Sequence, residues 1–372
     1  PLRLHKPSRA SASSALHCIM SAGKPTRAYV ATDNSGNLHA GEILRREPRD
    51  IDVAIKIHYC GVCHSDLHTI KNEWHNAQYP ICPGHEITGI VEAVGSKVAK
   101  FKVGDRVGVG CIVGSCLKCG TCIKNEEHHC ENGFIQTYNW DDPVSPGWRT
   151  HGGYSDRIVI EEHFVLSIPD KLDLAAAAPI LCAGITTYTP LVEAGVKKGS
   201  VVGIVGIGGL GHMALKLARA LEAHVIAFTS KASKKDELIA MGAHEVVVTG
   251  DADALKKHTN TIDLIVDTVS ADHDVASLFN TLKSGATYHI LGAPSSPFQV
   301  PGFPMLFKRL KFHGSLIGGI KRTQEVLDLC ADKGVAPIIE MAALKDINTV
   351  MERLNKGDVR YRFVLDIKAE YH

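Results

Sequence analysis

Residues 201–211 read VVGIVGIGGLG, an apolar run that passes directly into glycines spaced G-x-G-x-x-G. The run predicts a buried strand and the residues after it predict a helix, which is the context that gives this spacing its meaning. Gly206 permits a tight turn, Gly208 lets the backbone approach a pyrophosphate, and Gly211 lets the helix pack closely on the strand. The stretch therefore predicts a dinucleotide site, with a glycine-rich turn that binds nothing as the alternative. The residues of this cofactor loop are Gly206, Gly208, Gly209, Leu210 and Gly211.

Short strands and helices continue to alternate after the loop. Strands are predicted at Val225–Phe228, Val246–Val248, Ile262–Val266 and Tyr288–Leu291, and a helix that stops at a glycine is predicted at Asp236–Met241. Alternation of this kind predicts a parallel sheet with helices on both faces, the doubly wound α/β arrangement.

The residues after the second strand of this series indicate which dinucleotide is bound. An NAD site usually places Asp or Glu there, to accept a hydrogen bond from the ribose 2′-hydroxyl. This chain has hydroxyls and lysines instead, with no acid before Asp236, and such a composition suits a 2′-phosphate. NADP(H) is therefore the predicted cofactor, and a solvated basic loop is the alternative. The residues concerned are Thr229, Ser230, Lys231, Lys234 and Lys235.

The first half of the chain has a different pattern, with short β-type runs separated by Gly, Pro and Asp turns. Ile87–Val94, Val107–Cys111 and Tyr154–Val159 are such runs, and no long amphipathic helix interrupts them. A compact, mainly antiparallel β domain is expected here.

Near the C-terminus, a helix predicted at Thr323–Ala331 and a final apolar run at Arg362–Ile367 resemble a return to the β domain. We therefore predict that the β domain comprises residues 26–181 and 319–372. The nucleotide-binding domain then comprises residues 182–318.

Four cysteines fall within fifteen residues, with the spacing C-x-x-C-x-x-C-x7-C. Four thiolates from one loop can complete a tetrahedral zinc shell, which stabilises a fold and leaves no position for chemistry. In a chain of this length the cluster favours metal binding over a disulfide framework, with free or oxidised cysteines as the alternative. The predicted structural zinc ligands are Cys116, Cys119, Cys122 and Cys130.

A second set of metal-binding residue types is scattered along the chain. Cys63, His85 and Cys182 have the chemistry of a catalytic zinc site, which takes three protein ligands and leaves the fourth position open. Their spacing does not show that they converge. Each can instead be a buried structural cysteine or a core histidine with a satisfied hydrogen bond, so both interpretations stay open at this point.

Composition narrows the functional classes. Lys+Arg and Asp+Glu nearly cancel, 41 against 40, so no overall field attracts nucleic acid or an anionic membrane. No apolar run approaches the roughly 18–20 residues needed to span a bilayer. The uneven placement of the eleven cysteines fits a reducing compartment. A soluble protein with neither nucleic acid nor membrane as a partner is expected.

Residues 1–25 are predicted to be a leader or an extension outside the folded domains. The stretch from Pro1 to Arg27 has several basic residues among Ser and Ala but no acid, as an organelle transit peptide does. An upstream extension, with Met20 as the start of the domain, is the equally supported alternative. The expected location is cytoplasmic, or a mitochondrion or plastid if the leader is a transit peptide.

The chain from about Arg27 to Asp366 resembles the zinc-containing medium-chain alcohol dehydrogenases. The motif Gly84-His85-Glu86-x-x-Gly89-x5-Gly95-x-x-Val98 matches the zinc signature of that family at every fixed position, and the four-cysteine loop and glycine motif follow in the expected order. The stretches CGVCHSD (60–66), LCAGIT (181–186) and GSLIGG (314–319) look most like the cinnamyl alcohol dehydrogenase branch and its aldehyde-reductase relatives. The resemblance implies a GroES-like catalytic domain, a Rossmann nucleotide domain and a homodimer.

The resemblance also implies roles for individual residues. Cys63, His85 and Cys182 would bind the catalytic zinc. Glu86 would be the nearby carboxylate that can exchange with water on the metal, and Asp66 would fix the tautomer and basicity of the ligand histidine.

Ser65 and His68 match the residues that pass a proton between the substrate oxygen and solvent, with a plain surface histidine as the alternative for His68. The implied reaction is hydride transfer between NADP(H) and the carbonyl carbon of an aldehyde, with zinc as a Lewis acid. It interconverts aldehydes and primary alcohols, and aldehyde reduction is expected to dominate.

The resemblance is weakest in the substrate pocket. Trp74, Leu316 and Ile317 match positions that line the cleft in the cinnamyl branch, although Trp74 reads equally as core packing. Gln136 occupies the place where plant lignin enzymes typically carry a tryptophan. We therefore expect a broad range of aromatic and medium-chain aldehydes rather than a dedicated cinnamyl substrate.

Two other functions are compatible with parts of the sequence. A zinc-stabilised protein that binds NADP(H) as a redox sensor or scaffold predicts an incomplete catalytic shell. A zinc-free quinone reductase of the same superfamily predicts neither the ligand set nor the four-cysteine loop. Two zinc ions per chain would separate our prediction from both.

Overall fold

Two large β-sheets and two two-stranded sheets organise the chain in the computed structural model, which describes residues 23–292, 294 and 296–371. The strands are β1 Lys24–Val30, β2 His39–Arg45, β3 Asp52–Val62, β4 Ile87–Val94, β5 Arg106–Val109, β6 Ile112–Gly114, β7 Ile135–Gln136, β8 Arg157–Glu161, β9 Leu166–Ser167, β10 Val201–Val205, β11 His224–Thr229, β12 Glu245–Val248, β13 Ile262–Asp267, β14 Leu282–Ile290, β15 Lys311–Gly314, β16 Ile339–Ala343 and β17 Arg362–Asp366.

Most of the helices are short. The α-helices are α1 His64–Ile70, α2 Gly120–Ile123, α3 Leu174–Ala177, α4 Ala183–Glu193, α5 Gly211–Ala220, α6 Lys235–Met241, α7 Ala252–Lys257, α8 Gly302–Lys308, α9 Ile320–Lys333, α10 Ile347–Asn355 and α11 Ile367–Tyr371. The 3₁₀ helices are Glu127–His129, Glu162–Phe164, Ala178–Leu181, Ala232–Lys234, Ala276–Thr281 and Leu344–Asp346.

The second half of the chain forms a six-stranded sheet in the order β12-β11-β10-β13-β14-β15. Every neighbouring pair in it is parallel. The order reverses direction beside β10, as in the doubly wound dinucleotide-binding fold. The strands are continuous apolar runs because both faces of the sheet are covered, and Val202, Ile204 and Val225 are completely buried. The predicted Rossmann architecture is confirmed.

The glycine loop connects β10 to α5 as predicted, and the three motif glycines differ in what surrounds them. Gly206 has φ +78°, a left-handed conformation that favours glycine. A Cβ at Gly211 would lie 1.9 Å from the carbonyl oxygen of Gly206, so only glycine allows α5 to approach the strand this closely. A Cβ at Gly208 would meet no atom of the described residues within 4 Å.

The first half of the chain forms a seven-stranded sheet in which the long strand β3 pairs with β4, β8 and β17, all antiparallel. β17 comes from the C-terminus, and its Val364 pairs with Gly61 of β3. The chain therefore returns to the first sheet after the Rossmann strands, as the sequence pattern predicts. The expected GroES-like, mainly antiparallel domain is confirmed.

Two predicted strands are displaced along the chain. β5 ends at Val109 rather than at residue 111, because Gly110 and Cys111 leave the sheet to pack on Leu181. The strand predicted from Tyr154 begins only at residue 157. The N–H of Tyr154 instead donates to the carbonyl oxygen of Pro83, which ties this segment to the loop that contains the zinc signature.

The predicted leader lies almost wholly outside the described residues. At its inner end, β1 begins at Lys24, which pairs with Arg45 of β2. The strand therefore overlaps the last two residues of the predicted range 1–25, because the antiparallel ladder with β2 extends to Lys24.

Among residues 23–292, 294 and 296–371, no single helix is long and apolar enough to cross a membrane. One bent pair, Leu174–Leu181 with Ala183–Glu193 at 55°, passes on length and composition alone. Most of the side chains in both segments are buried in the protein.

The glycine loop provides a stability test with a matched control. We expect Gly211→Ala to lower the free energy of unfolding by about 2 kcal/mol or more, because its methyl group has no room beside the Gly206 carbonyl. Gly208→Ala, in the same loop, should leave the melting temperature within about 1 °C of the wild type. Differential scanning fluorimetry of the three proteins measures this, and equal melting temperatures would contradict the packing argument.

Candidate active site

Four predicted site residues lie close together, although they come from three separate segments of the first sheet and its connections. Cys63 immediately precedes α1, His85 and Glu86 immediately precede β4, and Cys182 lies between a 3₁₀ helix and α4. One ligand atom from each lies within 4.8 Å of the other three, and all four residues are buried. The interpretation of Cys63, His85 and Cys182 as unrelated core residues does not fit this convergence.

The carboxylate of Asp66 holds this cluster together and is completely buried. Its Oδ1 lies 3.1 Å from Nδ1 of His85 and accepts a hydrogen bond from the N–H of Gly84. Its Oδ2 accepts from the N–H of Cys63 and the hydroxyl of Tyr154. Because a carboxylate can only accept, Nδ1 of His85 carries a proton and Nε2 is left to bind a metal.

The two thiols of the cluster are perturbed in opposite directions: the pKa of Cys63 is lowered, and hydrogen bonds with neighbouring thiols raise the pKa of Cys182. The pKa of the Cys63 thiol is well below its usual value because Cys182 donates a hydrogen bond to it, and the charge of Arg362 acts in the same direction against the effect of burial. Nε2 of His85 lies 3.3 Å from Sγ of Cys182. Two thiols and one imidazole with an oriented lone pair are a donor set that fits zinc with an open fourth position.

Arg362 on β17 is a site residue that the sequence analysis missed. Its guanidinium forms a hydrogen-bonded ion pair with Oε1 of Glu86, and both side chains are buried. The second oxygen of Glu86, Oε2, is buried without a hydrogen-bond partner among the described residues. A Cβ at Gly61 would lie 2.0 Å from that oxygen, so glycine is needed there. The free oxygen belongs to the carboxylate that the family resemblance places beside the metal.

Arg362 also contacts the cofactor loop. A Cβ at Gly209 would lie 2.9 Å from Cδ of Arg362. One guanidinium therefore lies between the carboxylate of the metal cluster and the loop between β10 and α5. No atom in the part of the chain that the structure describes fills the space above Gly208, as expected of a backbone that a pyrophosphate approaches.

The predicted 2′-phosphate residues lie together where β11 ends. Ser230, Lys231 and Lys235 are exposed, and Thr229 closes the turn by accepting a hydrogen bond from the N–H of Lys231. Nζ of Lys234 donates to the carbonyl oxygen of Ile207, 3.4 Å away, which directs this lysine over the glycine loop. That contact distinguishes the segment from a freely solvated basic loop.

The two predicted proton-relay residues lie on α1. Oγ of Ser65 is 3.6 Å from Sγ of Cys63. His68 lies one turn further along the helix, with Nδ1 2.5 Å from Oε2 of Glu73. Glu73, which the sequence analysis did not single out, orients this imidazole and leaves its Nε2 free to exchange a proton.

The predicted pocket residues are mostly on the surface. Trp74 is 52% exposed and its ring centroid is 5.4 Å from that of His68, so the alternative of core packing does not hold. Leu316 is 50% exposed, whereas Ile317 is buried. Gln136 is an exposed residue on β7.

The four-cysteine loop has the geometry of a closed metal site. Cys116, Cys119, Cys122 and Cys130 place their sulfurs within 4.8 Å of one another. Two of the S···S distances are 3.9 Å, close to the roughly 3.8 Å of a tetrahedron with Zn–S bonds of about 2.3 Å. Hydrogen bonds from Thr121 and from backbone N–H groups lower the pKa of Cys119 to about 5, whereas burial raises the pKa of Cys122 to about 12.

Glu127 connects this loop to the start of α9 and was also missed from sequence. It is 1% exposed, and its Oε2 accepts a hydrogen bond from the N–H of Ile320, the first residue of α9. Its Oε1 lies 2.9 Å from Nε2 of His163. A Cβ at Gly319 would lie 2.5 Å from Oε2 and 1.9 Å from the carbonyl oxygen of Asn125. The GSLIGG segment therefore packs directly on the four-cysteine loop.

Replacing Asp66 tests the role of its carboxylate. In Asp66→Asn one acceptor oxygen becomes an amide nitrogen, so two of the four donors that face it lose their partner. We expect the zinc affinity of the Cys63–His85–Cys182 cluster to fall by about 10–100-fold. Competition with chelators of graded affinity, read by elemental analysis, measures this. Asp170→Asn, at a side chain that is 97% exposed, is the control. An unchanged affinity in Asp66→Asn would remove Asp66 from the metal site.

Comparisons with known proteins agree with this geometry. The sequence matches the family described as "Alcohol dehydrogenase GroES-like domain" over residues 49–170 and that described as "Zinc-binding dehydrogenase" over residues 209–332. It is 48% identical to 8-hydroxygeraniol dehydrogenase of Catharanthus roseus, over 92% of this chain and 96% of that protein.

Two solved structures are similar over nearly the whole chain. A cinnamyl alcohol dehydrogenase from Sorghum bicolor superposes with a TM-score of 0.89 at 42% identity, covering 93% of this chain and 98% of that one. The enzyme of the same class from Helicobacter pylori, complexed with NADP(H), gives 0.85 at 36% identity, covering 92% and 98%. The chain therefore belongs to the zinc-containing medium-chain alcohol dehydrogenases, within their cinnamyl alcohol dehydrogenase branch.

Proposed function

We propose that this protein is an NADP(H)-dependent zinc enzyme that interconverts primary alcohols and aldehydes and works mainly as an aldehyde reductase. The observation that supports this most directly is the convergence of Cys63, His85, Glu86 and Cys182 beside the glycine loop, with Arg362 in contact with both. A redox sensor without turnover would not need a complete shell next to the cofactor loop.

Different residues of the chain have different roles in the proposed reaction. When bound, zinc supplies a Lewis acid and NADPH supplies the hydride. Asp66 keeps His85 in the tautomer that binds metal. Arg362 compensates the charge of Glu86 in a buried position and faces the cofactor loop. Ser65 donates a proton to the substrate oxygen, and His68, oriented by Glu73, resupplies that proton from solvent.

We propose two zinc ions per chain, one in each cysteine cluster. Both clusters bring four possible ligand atoms within 4.8 Å. The four-thiol loop has no open position and stabilises the fold, while the other cluster has three strong donors and the free oxygen of Glu86.

Aldehydes with apolar or aromatic chains, and the primary alcohols that correspond to them, are the proposed substrates. Trp74 and Leu316 expose large apolar surfaces, and Trp74 packs against the proton-relay residue His68. The alcohols named for two relatives, 8-hydroxygeraniol and cinnamyl alcohol, share a primary allylic alcohol group. Gln136, at the position where the plant lignin enzymes have tryptophan, is polar and exposed, which favours a broad range over a single cinnamyl substrate.

NADP(H) is the proposed cofactor because the turn after β11 presents hydroxyls and lysines. The NADP(H) complex of the Helicobacter pylori relative supports the same choice. The ammonium group of Lys234, which reaches back from this turn over the glycine loop, supports the proposal of a 2′-phosphate site.

The protein is also proposed to form a homodimer through its nucleotide-binding half. β15 is the outer strand of the six-stranded sheet, with one backbone edge unpaired within that sheet. On α8, beside it in sequence, Phe303, Leu306 and Phe307 are 75%, 76% and 82% exposed. Three such side chains on one short helix form an apolar patch that a second copy of this chain would cover.

Initial rates with cinnamaldehyde test the catalytic proposal. We expect fast NADPH oxidation and slow NADH oxidation by the wild type at neutral pH. Ser230→Asp places a carboxylate at the end of β11, where it repels a 2′-phosphate and accepts from a 2′-hydroxyl. It should lower kcat/KM for NADPH by about 10–100-fold and raise that for NADH.

Ser233→Ala, in the same turn, is the control for this experiment. Oxidation of neither cofactor by the wild type with about two zinc ions bound would overturn the reductase assignment and favour the sensor. An unchanged cofactor preference in Ser230→Asp would overturn the placement of the 2′-phosphate.

The dimer is tested separately by sedimentation velocity. We expect the wild type to sediment as a dimer and Phe307→Asp to sediment as a monomer, because a charge buried in an apolar interface costs several kcal/mol. Ile239→Asp, at an exposed apolar residue on α6, is the control and should stay dimeric. A monomeric wild type at micromolar concentration would contradict the proposed interface.

A further inference from the structure

The catalytic cluster has a sulfur neighbour that neither the proposed zinc shell nor the reaction uses. Cys111 lies between β5 and β6, and its Sγ is 3.9 Å from the carbonyl oxygen of Leu181, the residue before Cys182. Sγ of Cys182 is in turn 3.3 Å from Nε2 of His85. Cys111 is not among the four residues whose ligand atoms all lie within 4.8 Å of one another. It therefore lies beside a proposed zinc ligand without belonging to the shell.

The backbone brings these two cysteines together. A Cβ at Gly110 would lie 2.9 Å from the carbonyl oxygen of Leu181, and Sγ of Cys111 is 3.9 Å from the same atom. Residues 110–111 thus run directly against residues 181–182. Such an approach suits a disulfide, which spans Cα atoms about 4.4–6.8 Å apart.

Cys111 and Cys182 differ in solvent exposure and in their position relative to the helices. Cys111 is partly exposed, whereas Cys63 and Cys182 are 8% and 7% exposed. Cys182 lies at the junction between a 3₁₀ helix and α4, with the non-helical φ −128° and ψ −71°. A side chain at such a junction can turn without unwinding either helix. We assign the first oxidation to Cys111, the more exposed of the two residues.

We propose that Cys111 and Cys182 form a reversible disulfide in the presence of hydrogen peroxide, which removes Cys182 from the zinc shell and switches the enzyme off. The inference rests on the proposed function, since it requires Cys182 to be a zinc ligand. With Cys182 oxidised, one thiolate and one imidazole remain as strong donors, and the carboxylate of Glu86 is held in an ion pair with Arg362, so the shell binds zinc much more weakly. The metal is then released.

The chemistry balances as a two-electron oxidation. The Cys111 sulfur attacks one peroxide oxygen, the O–O bond breaks, and a sulfenic acid and hydroxide form. The Cys182 sulfur then attacks the sulfenic sulfur, the S–S bond forms, and a second hydroxide leaves. The Cys111 thiol proton and one proton from solvent convert both hydroxides to water, because Cys182 as a zinc ligand is already a thiolate. A dithiol such as dithiothreitol returns the electron pair and restores both cysteines.

The test compares zinc-loaded wild type with Cys111→Val and with Cys330→Ala, which removes a buried cysteine of α9 outside the cluster. Each protein is treated with graded hydrogen peroxide. Released zinc is followed with a chromogenic chelator, and the oxidised protein is alkylated, digested and mapped by mass spectrometry. The map separates a 111–182 crosslink from crosslinks within the four-cysteine loop.

We expect wild type and Cys330→Ala to release about one zinc ion per chain together with a 111–182 crosslink. Dithiothreitol with added zinc should restore the initial rate. Cys111→Val should reduce cinnamaldehyde normally and lose zinc about 10-fold more slowly, because the neighbouring thiol is absent. Cys111→Ser repeats the test should the valine variant be unstable.

Two results would overturn the inference: a crosslink between Cys63 and Cys182 in place of the 111–182 crosslink, or zinc release from Cys111→Val at the wild-type rate. The proposed function is judged by a different measurement, the rate before peroxide is added. A wild type that forms the crosslink and releases zinc but never oxidises NADPH would refute the reductase alone, and an active wild type without the crosslink would refute the switch alone.

Discussion

The buried carboxylate of Asp66 is the constraint on which the rest of the site depends. A charge with no solvent contact is tolerated only when every lone pair is used, and four donors from three separate segments meet this one. The start of α1, the loop before β4 and the segment at Tyr154 are thereby fixed relative to one another. The side chains of Cys63 and His85 lie close together because the N–H of Cys63 and Nδ1 of His85 both donate to the carboxylate of Asp66.

A second buried charge joins the two halves of the molecule. Arg362 is brought to the site by β17, which returns from the C-terminus to pair with β3 after the whole Rossmann sheet has been formed. Its ion pair with Glu86 and its contact with Gly209 depend on that return. The discontinuous first domain is therefore a functional arrangement, because it places a guanidinium from the last strand between the metal cluster and the cofactor loop.

The parts of this architecture that follow from local chemistry could be predicted from sequence. The strand and glycines of residues 201–211 define the Rossmann order, and the spacing of four cysteines predicts a site that one loop can close. The spacing of Cys63, His85 and Cys182 could not show that they converge, because contacts across about one hundred residues of chain leave no local pattern. That prediction came from the family resemblance. Arg362 was missed because an arginine at the start of an apolar strand is ordinarily predicted to be exposed, and the sequence does not show its buried partner.

Glu127 was missed for the same reason, and its contacts suggest what the closed zinc loop does for a reaction that takes place elsewhere. The carboxylate lies between Cys122 and Cys130 in sequence, caps the first N–H of α9 and packs on Gly319. Leu316 and Ile317 lie in the short segment just before that glycine. The four-cysteine loop therefore provides a surface on which the segment of Leu316 and Ile317 rests. A metal ion bound in that loop would then affect this segment through packing, while Asp66 and Arg362 position the groups of the Cys63–His85–Cys182 cluster.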